Sequence, residues 1–187
     1  MHLPSPAILG PIFGISEIML GLFLRAKADS ESQDKGSLRI LWVVILASLF
    51  IAYRATHWLP AFAIRDTLLS YPIGVLLFFS GLLLRWFSII YLGRFFTVNV
   101  AIAKDHRVID SGPYRYIRHP SYTGALMAFL GFGICLSNIA SILVILIPVT
   151  AAFLYRIRIE EAALGNALGN AYLEYSKRSK RLIPFIY

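Results

Sequence analysis

Residues Leu68–Leu92 read LLSYPIGVLLFFSGLLLRWFSIIYL, a long apolar run broken by a single charge, Arg85. A helix needs about 20 consecutive apolar residues to cross a hydrocarbon layer of roughly 30 Å, so this run predicts a membrane span. Working outward, Ala7–Leu24 is a second candidate, interrupted by Glu17, and Ile40–Tyr53 is a third that needs extension toward Trp58. The stretch Tyr122–Tyr155 is long enough for two spans, with Ser137 and Asn138 near its middle providing a turn. The pattern predicts an all-α integral membrane protein of about five transmembrane helices. Composition agrees: 187 residues, 58% hydrophobic and only 15% charged, with a mean hydropathy of +0.69, point to one membrane domain over residues 1–187, its three N-terminal spans within 1–92.

The net charge of +8 does not call for nucleic acid, because Lys and Arg collect on the cytoplasmic side of membrane proteins. No Lys or Arg precedes the first span, whereas the next loop carries Arg25, Lys27, Lys35 and Arg39. Arg54 and Arg65 follow the second span, the segment Gly93–His119 is rich in Lys and Arg, the turn at Ser137 has none, and the tail from Arg156 is rich again. This alternation places the N-terminus outside and the C-terminus in the cytoplasm, in the cell membrane if the source is prokaryotic, and reads the first apolar run as a retained span. Four His and one Cys are too few for most metal or disulfide frameworks, and Cys135 sits within an apolar run as a small packing residue.

Two polar constellations remain on the cytoplasmic side. SGPYRYIRHPSYTG, 111–124, starts with turn chemistry at Gly112 and Pro113, and Pro120 suits the first turn of the fourth span, with His119 at its cap. A helix start presents unpaired N–H groups and partial positive charge, so an anion fits there, with Arg118 and His119 as added donors and Tyr114, Tyr116 and Tyr122 free to stack or donate. Ordinary interfacial tyrosines and arginines would look the same. The second, RIRIEEAAL at 156–164, stacks Arg156 over Glu160 four residues on, with Glu161 on the next face. Ionisable groups at that depth are costly unless paired or functional. Beyond them Glu161, Leu164, Leu168, Tyr172 and Tyr175 form a stripe along one helix face, which packs on a neighbour or on the membrane surface. The cluster SKRSKR, 176–181, suits anionic lipid headgroups, and Arg85 either snorkels to the interface or faces a pocket.

GPYRYIRHPSYTG, followed by IEEAAL and then LGNAYLEY, resembles the isoprenylcysteine carboxyl methyltransferase family, in its short five-span prokaryotic form and within the larger group that includes phospholipid methyltransferases. The likeness covers roughly Gly81 to Tyr187, and LGNAY departs from a family pattern that often has Phe before that Gly. The resemblance implies an S-adenosylmethionine-dependent methyltransferase whose C-terminal helix closes a cytoplasmic cofactor pocket, with 93–187 as the cofactor-binding and catalytic half. Carried over by position, the cofactor contacts His106, Val108, Gly112, Tyr114, Arg118, His119, Tyr122 and Glu160, while Arg156 and Glu161 match the catalytic pair. The acceptor is a lipid-bearing or prenylated small molecule entering from the bilayer, with no obligate protein partner.

The chemistry is compatible with this. Methyl transfer from a sulfonium is an in-line displacement in which the protein chiefly holds the acceptor within about 3–3.5 Å of the methyl group. A carboxylate is already ionised at neutral pH, and Arg156 offers it a bidentate grip, oriented by Glu161. An amine acceptor must lose a proton, for which Glu161 or His119 is the candidate base. Carboxyl O-methylation of an isoprenylcysteine-like acceptor therefore stands first, with phospholipid N-methylation, an NADPH-dependent sterol-type reductase and a non-enzymatic membrane scaffold as alternatives.

Overall fold

The computed structural model describes residues 3–23, 36–96 and 107–187. Among them the chain forms six α-helices: α1 Pro6–Phe23, α2 Ser37–Trp58, α3 Thr67–Leu92, α4 Pro120–Cys135, α5 Ile139–Leu168 and α6 Asn170–Arg178. No β-strand occurs among these residues, only two isolated bridges, Ala63 with Asn138 and Ile117 with Lys180. Each of the five apolar segments folds as one helix, and the stretch from Tyr122 divides at 136–138 as its polar pair predicts. Three helices, α2, α3 and α5, with 22, 26 and 30 residues, are long and apolar enough to cross a membrane; α1 and α4 are apolar but shorter.

The helix boundaries follow local chemistry. Pro120 occupies the first turn of α4, where its missing N–H removes no helical bond. Asn138 caps α5 by accepting from the Ser141 amide at 3.1 Å, and its Nδ2 donates to the Leu59 carbonyl at 3.0 Å. α5 ends at Gly169, whose φ of 53° lets the chain turn directly into α6.

The helices are held in two close pairs. α3 lies on α4 through facing glycines: a Cβ on Gly81 would stand 2.5 Å from the Gly124 carbonyl oxygen, and one on Gly124 2.6 Å from the Arg85 amide nitrogen. With no side chain between them the backbones touch, the way small residues bring membrane helices together. α2 lies on α5, where Ser141 Oγ donates to the Ala52 carbonyl at 2.7 Å. Leu9, Phe13, Leu41, Ile45, Phe78, Phe129, Ile145, Val149 and Phe153 fill the space between the pairs, and the rings of Phe13 and Phe129 meet at 4.7 Å. The outer faces stay apolar: Leu83 and Ile147 are 71% and 65% exposed, as expected of helices that contact lipid on that side. The α2–α5 pairing joins the N-terminal spans to the C-terminal half, so the site is built from both.

Candidate active site

At the end of the bundle where α5 outruns its neighbours, a cavity of about 870 Å³, counted to its open mouth, lies among the ends of α3, α4, α5 and α6 and the segment leading to Gly112. Val108, Tyr114, Arg118, His119, Tyr122, Arg156 and Glu160 all line it, so the structure gathers residues as far apart in sequence as 108 and 160 into one wall. Gly112 stands behind that wall. Its φ is 56° and a Cβ there would stand 2.6 Å from the Tyr91 ring, so glycine lets Tyr91 pack against the turn. Tyr91 in turn stacks on Tyr114, with ring centroids 6.4 Å apart. His106 lies outside the described residues.

The centre of the site is a three-residue relay. Tyr122 Oη donates to Glu160 Oε2 at 2.9 Å and accepts from Arg156 Nε at 3.1 Å, so Arg156 and Glu160, adjacent on α5, are also linked through a phenol from α4. Arg156 Nη1 donates to Ser37 Oγ at 2.9 Å, which brings the first residue of α2 into the site. Arg156 is only 3% exposed. A buried guanidinium needs its donors met, and α2 and α4 each supply an acceptor. The His119 ring stacks on Tyr122, with centroids 5.5 Å apart, which fixes the phenol's orientation.

Glu161 does not line this cavity; it is the hub of a buckle beside it. Arg118 Nε donates to its Oε1 at 2.8 Å, Arg181 Nε to its Oε2 at 2.9 Å, and His119 Nε2 lies 3.3 Å from Oε1. Arg118 also donates through Nη1 to the Ser176 carbonyl at 3.0 Å and to the Ser179 carbonyl. The tail is thereby strapped along 116–119. The Arg118 amide donates to the Lys180 carbonyl at 2.7 Å, the His119 amide to Arg181 at 3.0 Å, and Thr123 Oγ1 to Leu182 at 2.7 Å. The strap lies against the start of α4, where the sequence suggested an anion, and Arg118 and Arg181 place two guanidinium groups on one carboxylate instead.

α6 completes the cavity. Leu164, Leu168, Tyr172 and Tyr175, four of the five members of the predicted stripe, line it, so the stripe packs inward and closes the site. Tyr175 Oη donates to the Tyr114 carbonyl at 2.7 Å, and Tyr114 Oη to the Ser88 carbonyl at 3.1 Å. Burial pushes the phenols of Tyr114, Tyr172 and Tyr175 above their ordinary value, Tyr175 to about 12, so all three remain neutral. The buried Tyr172 hydroxyl has no hydrogen-bond partner among the described residues.

A second cavity opens on the other side of Arg156 and Tyr122. Phe13, Leu20, Leu41, Trp42, Ile45 and Phe153 give it apolar walls, and Glu17, Arg85 and Arg156 are its charged residues. Arg85 faces inward, its Nε 2.5 Å from Glu17 Oε1. Sequence reasoning did not find Ser37 or Glu17 as site residues. Nothing in the periodicity of α1 or α2 marks them, because their role comes from where the helices cross. In the tail cluster, Lys177 pairs with Glu174 at 2.6 Å, Arg178 with Asp110 and Arg181 with Glu161, while Lys180 is exposed and makes no ion pair among the described residues.

Comparison with known proteins gives this arrangement a family. The sequence profile of the isoprenylcysteine carboxyl methyltransferase (ICMT) family matches residues 74–166, from within α3 to within α5. Protein-S-isoprenylcysteine O-methyltransferase B of Arabidopsis thaliana is 34% identical over 60% of this chain and 58% of its own length. Methyltransferase A of the same plant is 28% identical over 99% of this chain and 88% of its own. The solved structure of a eukaryotic intramembrane Ras methyltransferase, ICMT, superposes with a TM-score of 0.64 at 30% identity, covering 77% of this chain and 52% of that one. The chain thus spans little more than half the length of two of these three proteins. The match includes RHPSY and the paired glutamates, the residues that build the relay and the buckle, and the chain belongs to the isoprenylcysteine carboxyl methyltransferase family.

Proposed function

We propose that the protein transfers a methyl group from S-adenosylmethionine to the carboxylate of an isoprenylcysteine-like lipid at the membrane. The observation that carries this is the relay Glu160–Tyr122–Arg156, in which Tyr122 and Arg156 line both of two cavities of different character and Glu160 lines one of them. One is polar and aromatic and opens beside the tail; the other is apolar and lies among the spans. A reaction between a water-soluble donor and a lipid acceptor needs such a pair.

The residues present fit the donor. The buried Tyr172 hydroxyl, which has no partner among the described residues, offers a hydrogen bond, aromatic rings suit a nucleobase, and the Glu160 carboxylate suits a cationic sulfur centre. Val108, Tyr114, His119, Tyr122 and Glu160 would hold it, with Gly112 shaping the wall and His106 as a further expected contact. When bound, the cofactor supplies an electrophilic methyl group on a sulfonium. Arg156 is the acceptor's anchor, its guanidinium oriented by Ser37 and Tyr122 to grip a carboxylate that needs no general base. Glu161 is a positioning residue, acting through Arg118, His119 and Arg181 to keep the strap closed and water out. The N-terminus is assigned to the outside and the tail to the cytoplasm, where Lys180 meets anionic headgroups.

The test is calorimetry of S-adenosylhomocysteine and of NADPH on the detergent-purified protein, with Tyr122→Ala and Glu160→Ala alongside. Binding of S-adenosylhomocysteine that both substitutions weaken is the expected result. Binding of NADPH alone would overturn it.

A further inference from the structure

We propose that Tyr172 is a specificity residue for the methyl donor, its hydroxyl donating to the carboxylate at the donor's amino-acid end. The proposal rests on the S-adenosylmethionine reading above. Tyr172 lies in α6, outside the stretch matched by the family profile.

Four buried or half-buried phenols line the cavity beside the tail: Tyr114, Tyr122, Tyr172 and Tyr175. Three have partners. Tyr114 Oη donates to the Ser88 carbonyl at 3.1 Å, Tyr122 Oη to Glu160 at 2.9 Å and Tyr175 Oη to the Tyr114 carbonyl at 2.7 Å. The Tyr172 hydroxyl, on a residue only 6% exposed, has none among the described residues. Buried polar groups are ordinarily hydrogen-bonded, so an unmet donor on a cavity wall points to a ligand. The fold holds that donor in place. The turn at Gly169 brings α6 back onto the site, and the Tyr172 ring meets the Tyr175 ring edge-on, with centroids 6.1 Å apart.

The surroundings select the group that the hydroxyl meets. Glu161, Arg118 and Glu160 all act electrostatically on the phenol, so it sits among the cavity's charged groups, and burial keeps it a neutral donor. Glu161 is already met by Arg118, Arg181 and His119. Arg118 commits Nε and Nη1 to Glu161 and to the tail carbonyls, but its charge, with that of Arg107 on the same cavity, still favours an anion. Glu160, the carboxylate lining the cavity, favours a cation. A zwitterionic amino-acid group fits both signs at once, whereas a neutral nucleobase fits neither. The Tyr172 hydroxyl then gives the carboxylate of that group a charge-assisted hydrogen bond.

The test is calorimetry on the detergent-purified wild type and Tyr172→Phe with three ligands: S-adenosylhomocysteine, its decarboxylated analogue, and methylthioadenosine, which lacks the amino-acid end. The thermal midpoint of each ligand-free protein is measured alongside. We expect Tyr172→Phe to weaken S-adenosylhomocysteine about tenfold or more, from the loss of one hydrogen bond to a charged group, and to leave the other two ligands within about twofold. Because the substitution removes a buried hydroxyl without a partner, the ligand-free midpoint should rise by about 2–4 °C. Unchanged affinity for S-adenosylhomocysteine, or an equal loss for it and its decarboxylated analogue, would overturn the proposal alone. So would a lowered midpoint, which would show that the hydroxyl is bonded in the free protein. A wild type that binds none of the three ligands overturns the donor reading as well.

Discussion

Tyr122 and Arg156 meet at 3.1 Å, the phenol oxygen of α4 accepting from the guanidinium Nε of α5 at the wall between the two cavities. The same oxygen donates to Glu160. One side chain therefore touches a carboxylate of the cavity beside the tail and the cation that lines both cavities. Tyr122→Phe keeps the ring and its stacking on His119 and removes both hydrogen bonds. Affinity for S-adenosylhomocysteine should fall about three- to tenfold, from one lost bond of ordinary strength. The value of kcat/KM should fall further, by about 10²-fold, because Arg156 loses its orientation. Calorimetry and steady-state kinetics on one preparation separate the two effects.

Glu161 gathers Arg118, His119 and Arg181 on one carboxylate that is 14% exposed. Removing that charge leaves two guanidinium groups facing each other. Glu161→Gln should release the strap at 179–182, and we expect limited proteolysis near Lys180 and Arg181 to accelerate about tenfold or more, with a stability loss of about 2–4 kcal/mol. An unchanged cleavage rate would show that the backbone bonds along 116–119 hold the tail unaided.

Gly81 and Gly124 face each other where α3 and α4 touch backbone to backbone. Gly81→Ala puts a methyl group where no space exists and where no flexible side chain can yield. The expected cost is about 1–3 kcal/mol, seen as a lower thermal midpoint in detergent. The substitution also shifts Arg85, one turn along α3, so the loss of stability should come with weaker acceptor binding.

Asn138, at the opposite end of the bundle, both caps α5 and bonds the Leu59 carbonyl from the chain after α2. Asn138→Ala should cost about 1–2 kcal/mol. S-adenosylhomocysteine affinity should be unchanged, since the cap and the site lie at opposite ends of α5. A matching loss of affinity would show that the α2–α5 register, and with it the contact between Ser37 and Arg156, depends on this cap.

The apolar runs from Leu68 and from Tyr122, with the polar pair at Ser137 and Asn138, determine by themselves that the chain is a bundle of membrane helices and where α4 and α5 divide. Local chemistry suffices there, because hydrocarbon leaves a backbone little choice but to satisfy its own hydrogen bonds. The motif at 112–124 and the glutamates at 160 and 161 were legible as segments of interest, and the structure brings them together beside one cavity. The division of labour between Glu160 and Glu161 was not legible. Adjacent residues on a helix point about 100° apart, and only the positions of α4 and the tail decide that one carboxylate meets Tyr122 while the other meets three cationic or ionisable partners. Ser37 carries no signal in its own segment, and Glu17 shows there only as a charge that interrupts an apolar run. They enter the site because α1 and α2 cross the bundle beside Arg85 and Arg156, contacts set by the glycine-lined approach of α3 to α4 and the packing of α2 on α5.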